Sequence, residues 1–368
     1  MLNRYGRPIA RRVIHLEPDA VVVAAMKRSK LPDLGTETIS EPFEVLCRAL
    51  RDEAQLHSLG RLAARSLLVG MLTTRAKAIQ LVTTHPEIES TDLAPPIVVM
   101  GMPGSGARFL QRLLAADATL RHLPSWEAKA PMPSRTPAIR ELDPREAADD
   151  SWLLGSGFAS MLFEWMWHVP AFAEWYDEAD LSEGYRWLRR MLAILHWYRP
   201  GDRWLLRSPQ HLERLVDLTP TFPGAVLVQV HRDPVKVVTS TAAMVTSVRR
   251  LATASIIPSQ IGRYWQWRTH RMLDRNLRQR ERRDAPPILD VHFEHLMADP
   301  MAVVGSIYER AGRELTDKAR RAMEHHVAEQ RERHLDVHTV EPEQFGIDAQ
   351  AVHRDHEEYT ARFDVCVE

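Results

Sequence analysis

The segment that most constrains the fold runs from residue 97 to residue 114 and reads IVVMGMPGSGARFLQRLL. Its first four residues, Ile97–Met100, are all apolar, which predicts a strand buried on both faces of a sheet. Three glycines follow, and from Ala107 the apolar residues recur at helical spacing, so we expect a helix to begin there. Such a loop directs several backbone N–H groups to one point, so the segment indicates either an anion-binding loop or an ordinary strand–helix turn.

Three further apolar runs have the pattern of buried strands. They cover residues 204–206, 225–230 and 289–292, and helical patterns separate them. Strands that alternate with helices predict an α/β fold in which a largely parallel central sheet is covered on both faces by helices. We therefore expect three layers, with the glycine loop at one edge of the sheet.

The first 92 residues differ from the rest of the chain. They are rich in Ala, Leu, Arg and Glu, and residues 56–78 have the pattern of one long amphipathic helix. We expect residues 1–92 to form a helical N-terminal extension packed on a main domain of residues 93–368. Within that domain we expect a helical insertion at about residues 145–200 and a C-terminal segment at about residues 330–368.

Composition limits the classes of partner. The formal net charge is −1, so the chain as a whole has no attraction for nucleic acid or for an anionic membrane. Cys47 and Cys366 lie far apart and offer neither a disulfide framework nor zinc-ligand spacing, which suits the cytoplasm. No apolar run reaches transmembrane length, and the short run at residues 20–26 follows acidic residues, which argues against a secretory signal. The sequence allows a homo-oligomer without predicting one.

A second chemical signal is RWLLRSPQHL, residues 203–212. In parallel α/β sheets ligands collect beyond the carboxyl ends of the strands, and Arg207 follows such an end. Arg207 is therefore either an anion ligand beside the glycine loop or an ordinary ion-pair partner at the rim of the sheet. His211 is either a further anion partner or a solvent-facing helix cap.

A third strand end, in VLVQVHRDPVKVVTS, carries similar groups. Arg232 can donate two hydrogen bonds to a phosphate, and the Ser240 hydroxyl can add a neutral one. Asp233 precedes a proline that fits the first helical turn, so we interpret it as an N-cap. Three strand ends with anion-binding groups indicate a ligand that has two separated anionic groups.

Four blocks of sequence resemble the sulfotransferases that use 3′-phosphoadenosine 5′-phosphosulfate (PAPS), especially the bacterial branch related to tyrosylprotein sulfotransferases. The blocks are PIVVMGMPGSGARFLQRLL with LPSWEAKAPMP after it, RWLLRSPQHLERL, VLVQVHRDPVKVVTS, and DVHFEHLMADPMAVVGSIYERAGREL. They occur in the order typical of the family, and the tail QFGIDAQAVHRDHEEYTARF also resembles its C-terminal segment. The resemblance spans roughly residues 40–363 and implies a P-loop-like three-layer fold.

The resemblance also implies roles for residues. Arg232 and Ser240 would bind the 3′-phosphate of PAPS, and Arg207 stands where the family usually has a lysine that stabilises the leaving group. Glu127 matches the general base that takes the proton of the acceptor hydroxyl. No metal is implied. The 5′-phosphosulfate would lie in the loop formed by Pro103, Gly104, Ser105, Gly106, Ala107 and Arg108.

The loop departs from the family pattern. Where the family usually reads GxPRSGTT, this chain has Gly104 for the cation and Ala107 and Arg108 for the two hydroxyl residues. Backbone N–H donors are unaffected by these changes, and Arg108 could supply a cation from one turn further on. A member of the fold that binds nucleotide without efficient transfer therefore stays open as an alternative. A P-loop phosphotransferase is a weaker one, because its loop requires a lysine followed by Ser or Thr.

The acceptor is the least constrained part of the function. Residues 152–198 are crowded with aromatic side chains. They indicate either a site for a hydrophobic small-molecule or lipid hydroxyl, or simply helices packed on the sheet. His168 is an alternative to Glu127 as the base.

Overall fold

A computed structural model of the chain describes residues 13–132, 146–333 and 340–368, the side chains of residues 331–333 excepted. It contains one sheet of five strands, which confirms the predicted α/β fold with a central parallel sheet. The strands are β1 Ile97–Met100, β2 Leu120–His122, β3 Arg203–Arg207, β4 Val226–His231 and β5 Ile288–His292.

All neighbouring strands run parallel, in the order β2–β3–β1–β4–β5. Val98 of the central strand β1 lies beside Leu206 of β3 and Leu227 of β4. The carboxyl ends of these three strands are therefore adjacent, and the loops that follow them meet at one edge of the sheet. As predicted, the glycine loop shares this edge with Arg207 and Arg232.

The four predicted strands match β1, β3, β4 and β5 to within one residue at each end. The sequence pattern does not predict β2. This edge strand is only three residues long, and Arg121 and His122 interrupt its apolar character. A strand so short and polar has no signature of burial on both faces.

Three α-helices of the described residues precede the sheet. The long amphipathic helix predicted over residues 56–78 is present and continues one and a half turns further. The helices are α1 Pro18–Ser29, α2 Ser40–Asp52 and α3 Ser58–Thr84.

Fourteen further α-helices lie in the described residues from β1 onward. They connect the strands, cover both faces of the sheet, and form the C-terminal segment, of which residues 334–339 lie outside the described residues. They are α4 Ala107–Leu114, α5 Ser125–Lys129, α6 Ser151–Gly155, α7 Leu162–Met166, α8 Pro170–Glu178, α9 Ser182–Tyr198, α10 Leu215–Thr221, α11 Pro234–Arg250, α12 Pro258–Arg280, α13 Phe293–Ala298, α14 Pro300–Arg310, α15 Asp317–Arg333, α16 Ala349–Asp355 and α17 Glu357–Phe363.

The two faces of the sheet belong to different hydrophobic clusters. Trp204 of β3 lies in a cluster with Leu68 of α3, so the N-terminal helices share the core of that face. Leu205 lies in the other cluster with Leu110 of α4. Since side chains alternate along a strand, Arg207 lies on the α4 side.

Most of the aromatic side chains of residues 152–198 belong to the core. Trp152 differs, because it is only half-buried and packs at the edge of the large cluster. Packing is therefore the role of most of this segment, and few of its rings are free to contact an acceptor. The fully buried rings are those of Phe158, Phe163, Phe172, Tyr176 and Tyr185.

Among the described residues, none of the helices is both long enough and apolar enough to cross a membrane.

Candidate functional site

The glycine loop has the geometry of an anion-binding turn. Gly104 and Gly106 have φ values of +88° and +94°, which side chains disfavour. The buried Ser105 donates its N–H to the carbonyl of Met102 at 3.1 Å, and its Oγ accepts the N–H of Ala107 at 3.4 Å. Helix α4 begins at Ala107 as predicted, so the N–H groups of its first turn face the loop.

Two predicted ligands of a second anionic group lie against this loop. Arg232 Nη1 donates a hydrogen bond of 2.7 Å to the carbonyl of Gly104. Ser240, on the second turn of α11, is so close that a Cβ atom on Gly104 would lie 2.4 Å from its Oγ. The structure therefore brings together the loop, Arg232 and Ser240, from β1 and β4.

Arg232 holds a carboxylate in this structure. Its Nε and Nη2 donate to the two carboxylate oxygens of Glu368 at 2.6 and 2.7 Å, and its guanidinium stacks on the ring of Phe293 at 3.7 Å. The N–H of Glu368 donates to Asp233 at 2.9 Å. The guanidinium is thus oriented to bind a planar or tetrahedral oxyanion with two hydrogen bonds.

The C-terminal segment is fastened to the same edge of the sheet. Asp233 is the N-cap of α11, as predicted, because its Oδ1 accepts the N–H of Val235 at 2.8 Å; it also lies 3.0 Å from His353 Nε2. The hydroxyl of Tyr359 lies 2.7 Å from Nδ1 of the buried His231. Burial lowers the pKa of His231, although the hydrogen bond between its Nε2 and Asp290 at 2.8 Å opposes this effect.

Arg207 stands at the end of β3 between an amide and a carboxylate. Its Nε donates to Gln111 Oε1 at 2.7 Å, and its Nη2 lies 3.6 Å from Asp149 Oδ2. Burial lowers the pKa of Arg207, although Asp149 opposes this effect. Burial likewise raises the pKa of Asp149, although Arg207 opposes it. The site therefore contains a largely desolvated cation in contact with a carboxylate whose proton affinity is raised.

A buried hydrogen-bond network fixes the backbone that carries Asp149. The Oγ atoms of Ser151 and Ser208 lie 2.7 Å apart. His211 is fully buried between Asp150 Oδ2 at 3.2 Å and the Tyr185 hydroxyl at 2.8 Å. The interpretation of His211 as a solvent-facing cap is therefore wrong, since it is a core residue that holds the loop beside Arg207.

Glu127 lies apart from this group. It is 5 % exposed on α5, and its carboxylate accepts hydrogen bonds from Arg121 at 2.7 and 2.8 Å and from Arg199 at 3.2 Å. The guanidinium of Arg121 stacks on Trp204 at 4.5 Å, which places this ion pair on the face of the sheet opposite Arg207. Among the described residues no hydrogen bond or ion pair joins Glu127 to Arg207, although the start of α5 is hydrogen-bonded to the backbone of residues 146–148. A catalytic role for Glu127 stays a prediction.

Two other candidate side chains have different surroundings. Arg108 is 60 % exposed and donates to Glu146 at 3.3 Å, and its charge is close enough to lower the pKa of Arg207. His168 is exposed and lines a separate cavity with Arg249 and Tyr264. In the parts of the chain that the structure describes, no group of three or more His, Cys, Asp or Glu residues could hold a metal ion.

Three residues of the site escape the sequence reasoning. Gln111 carries a signal that could have found it, because it is a polar residue in the buried stripe of α4 that includes Leu110 and Leu114. Asp149 stands in a polar segment with nothing to distinguish it from its neighbour Asp150. Glu368 is 136 residues from its partner, and no local pattern predicts that contact.

The clash at Gly104 gives a first prediction. Gly104→Ala places a methyl group 2.4 Å from Ser240 Oγ at a positive φ, so we expect the loop to shift and nucleotide affinity to fall at least about 10-fold. The matched control is Gly312→Ala, because Gly312 also has a positive φ but no heavy atom within 4 Å of the added Cβ. Calorimetry should show unchanged affinity in the control, which loses only about 1–2 kcal/mol of unfolding free energy. Equal affinity in both variants would contradict a binding role for the loop.

Comparisons with known proteins identify the family and the fold. The family model described as "Sulfotransferase family" matches residues 95–317. Among solved structures, sulfotransferase STF9 from Mycobacterium avium superposes with a TM-score of 0.85 at 24% identity, over 95% of this chain and 97% of that one. Sulfotransferase STF1 from Mycobacterium tuberculosis H37Rv superposes with a TM-score of 0.81 at 28% identity, over 92% of this chain and 97% of that one. A comparison with curated protein sequences finds no significant match.

Proposed function

The chain belongs to the sulfotransferase family, and we propose that it transfers a sulfuryl group from PAPS to the hydroxyl of an acceptor molecule. The observation that supports this most is the arrangement of cations around the glycine loop, which follows the central strand β1. Arg232 and Ser240 lie against the loop from the β4 side, and Arg207 ends β3, the neighbour of β1 on the other side. Two separated cations around one backbone anion loop suit a donor that has both a 3′-phosphate and a 5′-phosphosulfate.

The described residues fit the donor at both of its anionic ends. Arg232 already holds the Glu368 carboxylate with two hydrogen bonds, and we propose that the 3′-phosphate takes its place with Ser240 as a second ligand. Gly104 allows the loop to lie directly against Ser240, because a side chain there would collide with the Ser240 hydroxyl. When bound, PAPS supplies the sulfuryl group, which passes to the acceptor oxygen while 3′-phosphoadenosine 5′-phosphate (PAP) leaves.

We propose that Arg207 and Asp149 act on the reacting groups. Arg207 would stabilise the negative charge that develops on the leaving group, and its desolvation strengthens this interaction. Asp149 would accept the proton of the acceptor hydroxyl at its carboxylate, and its raised pKa makes it a stronger base than an exposed aspartate. Gln111 orients Arg207 through the hydrogen bond to Nε.

One set of contacts favours a second candidate, a protein that binds nucleotide without efficient transfer. The loop has glycine in place of the usual cation, Arg108 pairs with Glu146, and Glu368 covers Arg232. A phosphotransferase finds no such support, since the loop has no lysine.

Two measurements separate these candidates. Calorimetry with PAP tests the nucleotide site, and absence of binding would refute both the sulfotransferase and the nucleotide-binding proposal. Transfer of labelled sulfate from PAPS to a panel of phenols and aliphatic alcohols then tests catalysis. Binding without transfer to any acceptor of the panel would favour the second candidate.

The contact between Arg232 and Glu368 gives a second prediction. Glu368→Gln removes the charge that competes with the 3′-phosphate, so we expect PAP to bind about 3-fold more tightly, as for a partly exposed ion pair of roughly 0.5–1 kcal/mol. Glu357→Gln is the control, because Glu357 is exposed on α17. Its backbone carbonyl accepts a hydrogen bond from the Thr360 hydroxyl, which the substitution leaves in place. Unchanged affinity in Glu368→Gln would show that Arg232 is not the phosphate ligand or that the carboxylate does not compete.

A further inference from the structure

A second cavity lies beside the proposed transfer site. It has a volume of about 510 Å³ and is formed by α3, the last turn of α1, residues 128–132 and α6. Helix α6 contributes Trp152, which is half-buried and presents its ring to the cavity. Residues of both the N-terminal helices and the main domain are therefore needed to form it.

The chain connects this cavity directly to Arg207 and Asp149. Trp152 is three residues from Asp149, which limits the distance between their Cα atoms to roughly 11 Å. The N–H of Asp150 donates to the carbonyl of Arg207 at 3.2 Å, so the start of α6 is fixed to the end of β3. Trp152 therefore joins the wall of the cavity to the segment that carries Asp149, at the carboxyl edge of the sheet, and Lys129 in the same wall is two residues from Glu127.

The charges of the cavity wall have one sign. Arg28, Lys77 and Lys129 line it, and no Asp or Glu is among its lining residues in the described parts of the chain. Lys129 lies 5.9 Å from the ring of Trp152, and none of the three cations forms an ion pair with a described residue. Three cations that have no ion-pair partner among the described residues surround one concave space and attract anions to it.

The rest of the wall is suited to an apolar body. Met71, Met132 and Trp152 provide flexible and aromatic contact surface, and Thr73 and Ser156 add hydroxyl groups. The wall therefore combines apolar surface with a comparable amount of polar surface, which suits a small molecule that has both an apolar body and polar groups. The cations add a preference for anionic ligands, which a site for a neutral alcohol or sterol does not need.

We infer that this cavity is the acceptor site and that it takes a hydroxylated molecule with an apolar or aromatic body and an anionic group such as a carboxylate. The hydroxyl would lie toward Asp149, and the anionic group would lie among Arg28, Lys77 and Lys129. The assignment of the ligand as a sulfuryl acceptor rests on the proposed function. The preference of the cavity for an anionic ligand does not depend on it.

A matched pair of probes tests the preference without turnover. Calorimetry with the full chain, with and without PAP, would compare 3-(4-hydroxyphenyl)propionate with its neutral amide. We expect the acid to bind at least about 10-fold more tightly, as for an anion next to several close cations. Equal affinities, or no binding of either probe, would overturn the inference.

Charge reversal locates the preference in the cavity. Arg28→Glu and Lys77→Glu should remove the advantage of the acid and leave the affinity for the amide unchanged. Lys27→Glu is the control, because Lys27 is an exposed neighbour on the same helix that does not line the cavity. An equal loss in Lys27→Glu would indicate a general effect of net charge and would overturn the assignment.

A separate transfer assay with labelled PAPS distinguishes this inference from the proposed function. If the acid binds preferentially but receives no sulfate, the cavity stands and the proposed transfer fails. If acid and amide bind equally and both receive sulfate, the transfer stands and the anionic acceptor is refuted.

Discussion

Arg232→Ala should weaken the binding of PAP about 100-fold, which is the largest effect we expect of any single change on nucleotide affinity. The guanidinium forms two short hydrogen bonds with the Glu368 carboxylate, and a phosphate in its place gains the same two charge-assisted bonds. Such bonds contribute roughly 1.5–3 kcal/mol each, and part of that is offset because Glu368 must be displaced. Titration calorimetry with PAP measures the change directly.

Two companion variants make this result specific. Arg232→Lys keeps the charge but loses the two-pronged geometry, so we expect it to recover only part of the affinity. Arg232 also donates to the carbonyl of Gly104, and Ser240→Ala tests the other phosphate ligand without that contact. We expect Ser240→Ala to lose about 5-fold, as for one neutral hydrogen bond. An Arg232→Ala variant that binds PAP as tightly as the native chain would exclude the 3′-phosphate role.

The main features of this fold are readable from local pattern because its strands are buried on both faces. Four apolar residues at Ile97–Met100 allow no solvent side, and parallel order then places every strand end at one edge. Arg207 and Arg232 follow directly from that rule, since each comes at the end of a predicted strand. Glycine at Gly104 is explained by the approach of Ser240, which a sequence alone does not show.

The sequence does not predict the directions in which the side chains of the site point. Glu127 follows β2, an edge strand that no pattern predicts, and the face on which it lies depends on the register of Arg121 beside Trp204. The contact of Asp149 with Arg207 depends on a segment without regular structure, held by the buried ring of His211. Both cases involve contacts between residues distant in the chain, for which hydrophobic periodicity has no signal.

Asp149→Asn should lower kcat about 100-fold or more while the affinity for PAP stays unchanged. An amide cannot take the proton of the acceptor hydroxyl, and loss of a general base typically lowers the rate by about 10²- to 10⁴-fold. The native enzyme should lose activity as the pH falls, because protonated Asp149 is not a base. Burial raises the pKa of Asp149, so this loss should begin above the ordinary aspartate range and disappear in the variant. Steady-state kinetics across pH, with PAP affinity from calorimetry, measure both.

Glu127→Gln provides the decisive comparison with Asp149→Asn, because we expect the two substitutions to have opposite effects on stability and on kcat. Glu127 and Arg121 are both about 5 % exposed, and removal of one charge from a buried pair costs roughly 3–5 kcal/mol of unfolding free energy. We therefore expect Glu127→Gln to lower the melting temperature strongly. We expect kcat per folded molecule to stay within about 5-fold of the native value, because the Glu127 carboxylate contacts Arg121 and Arg199 and lies on the face opposite Arg207. If instead Glu127→Gln loses transfer while Asp149→Asn keeps it, Glu127 is the base, and the ion pair must open when the substrates bind.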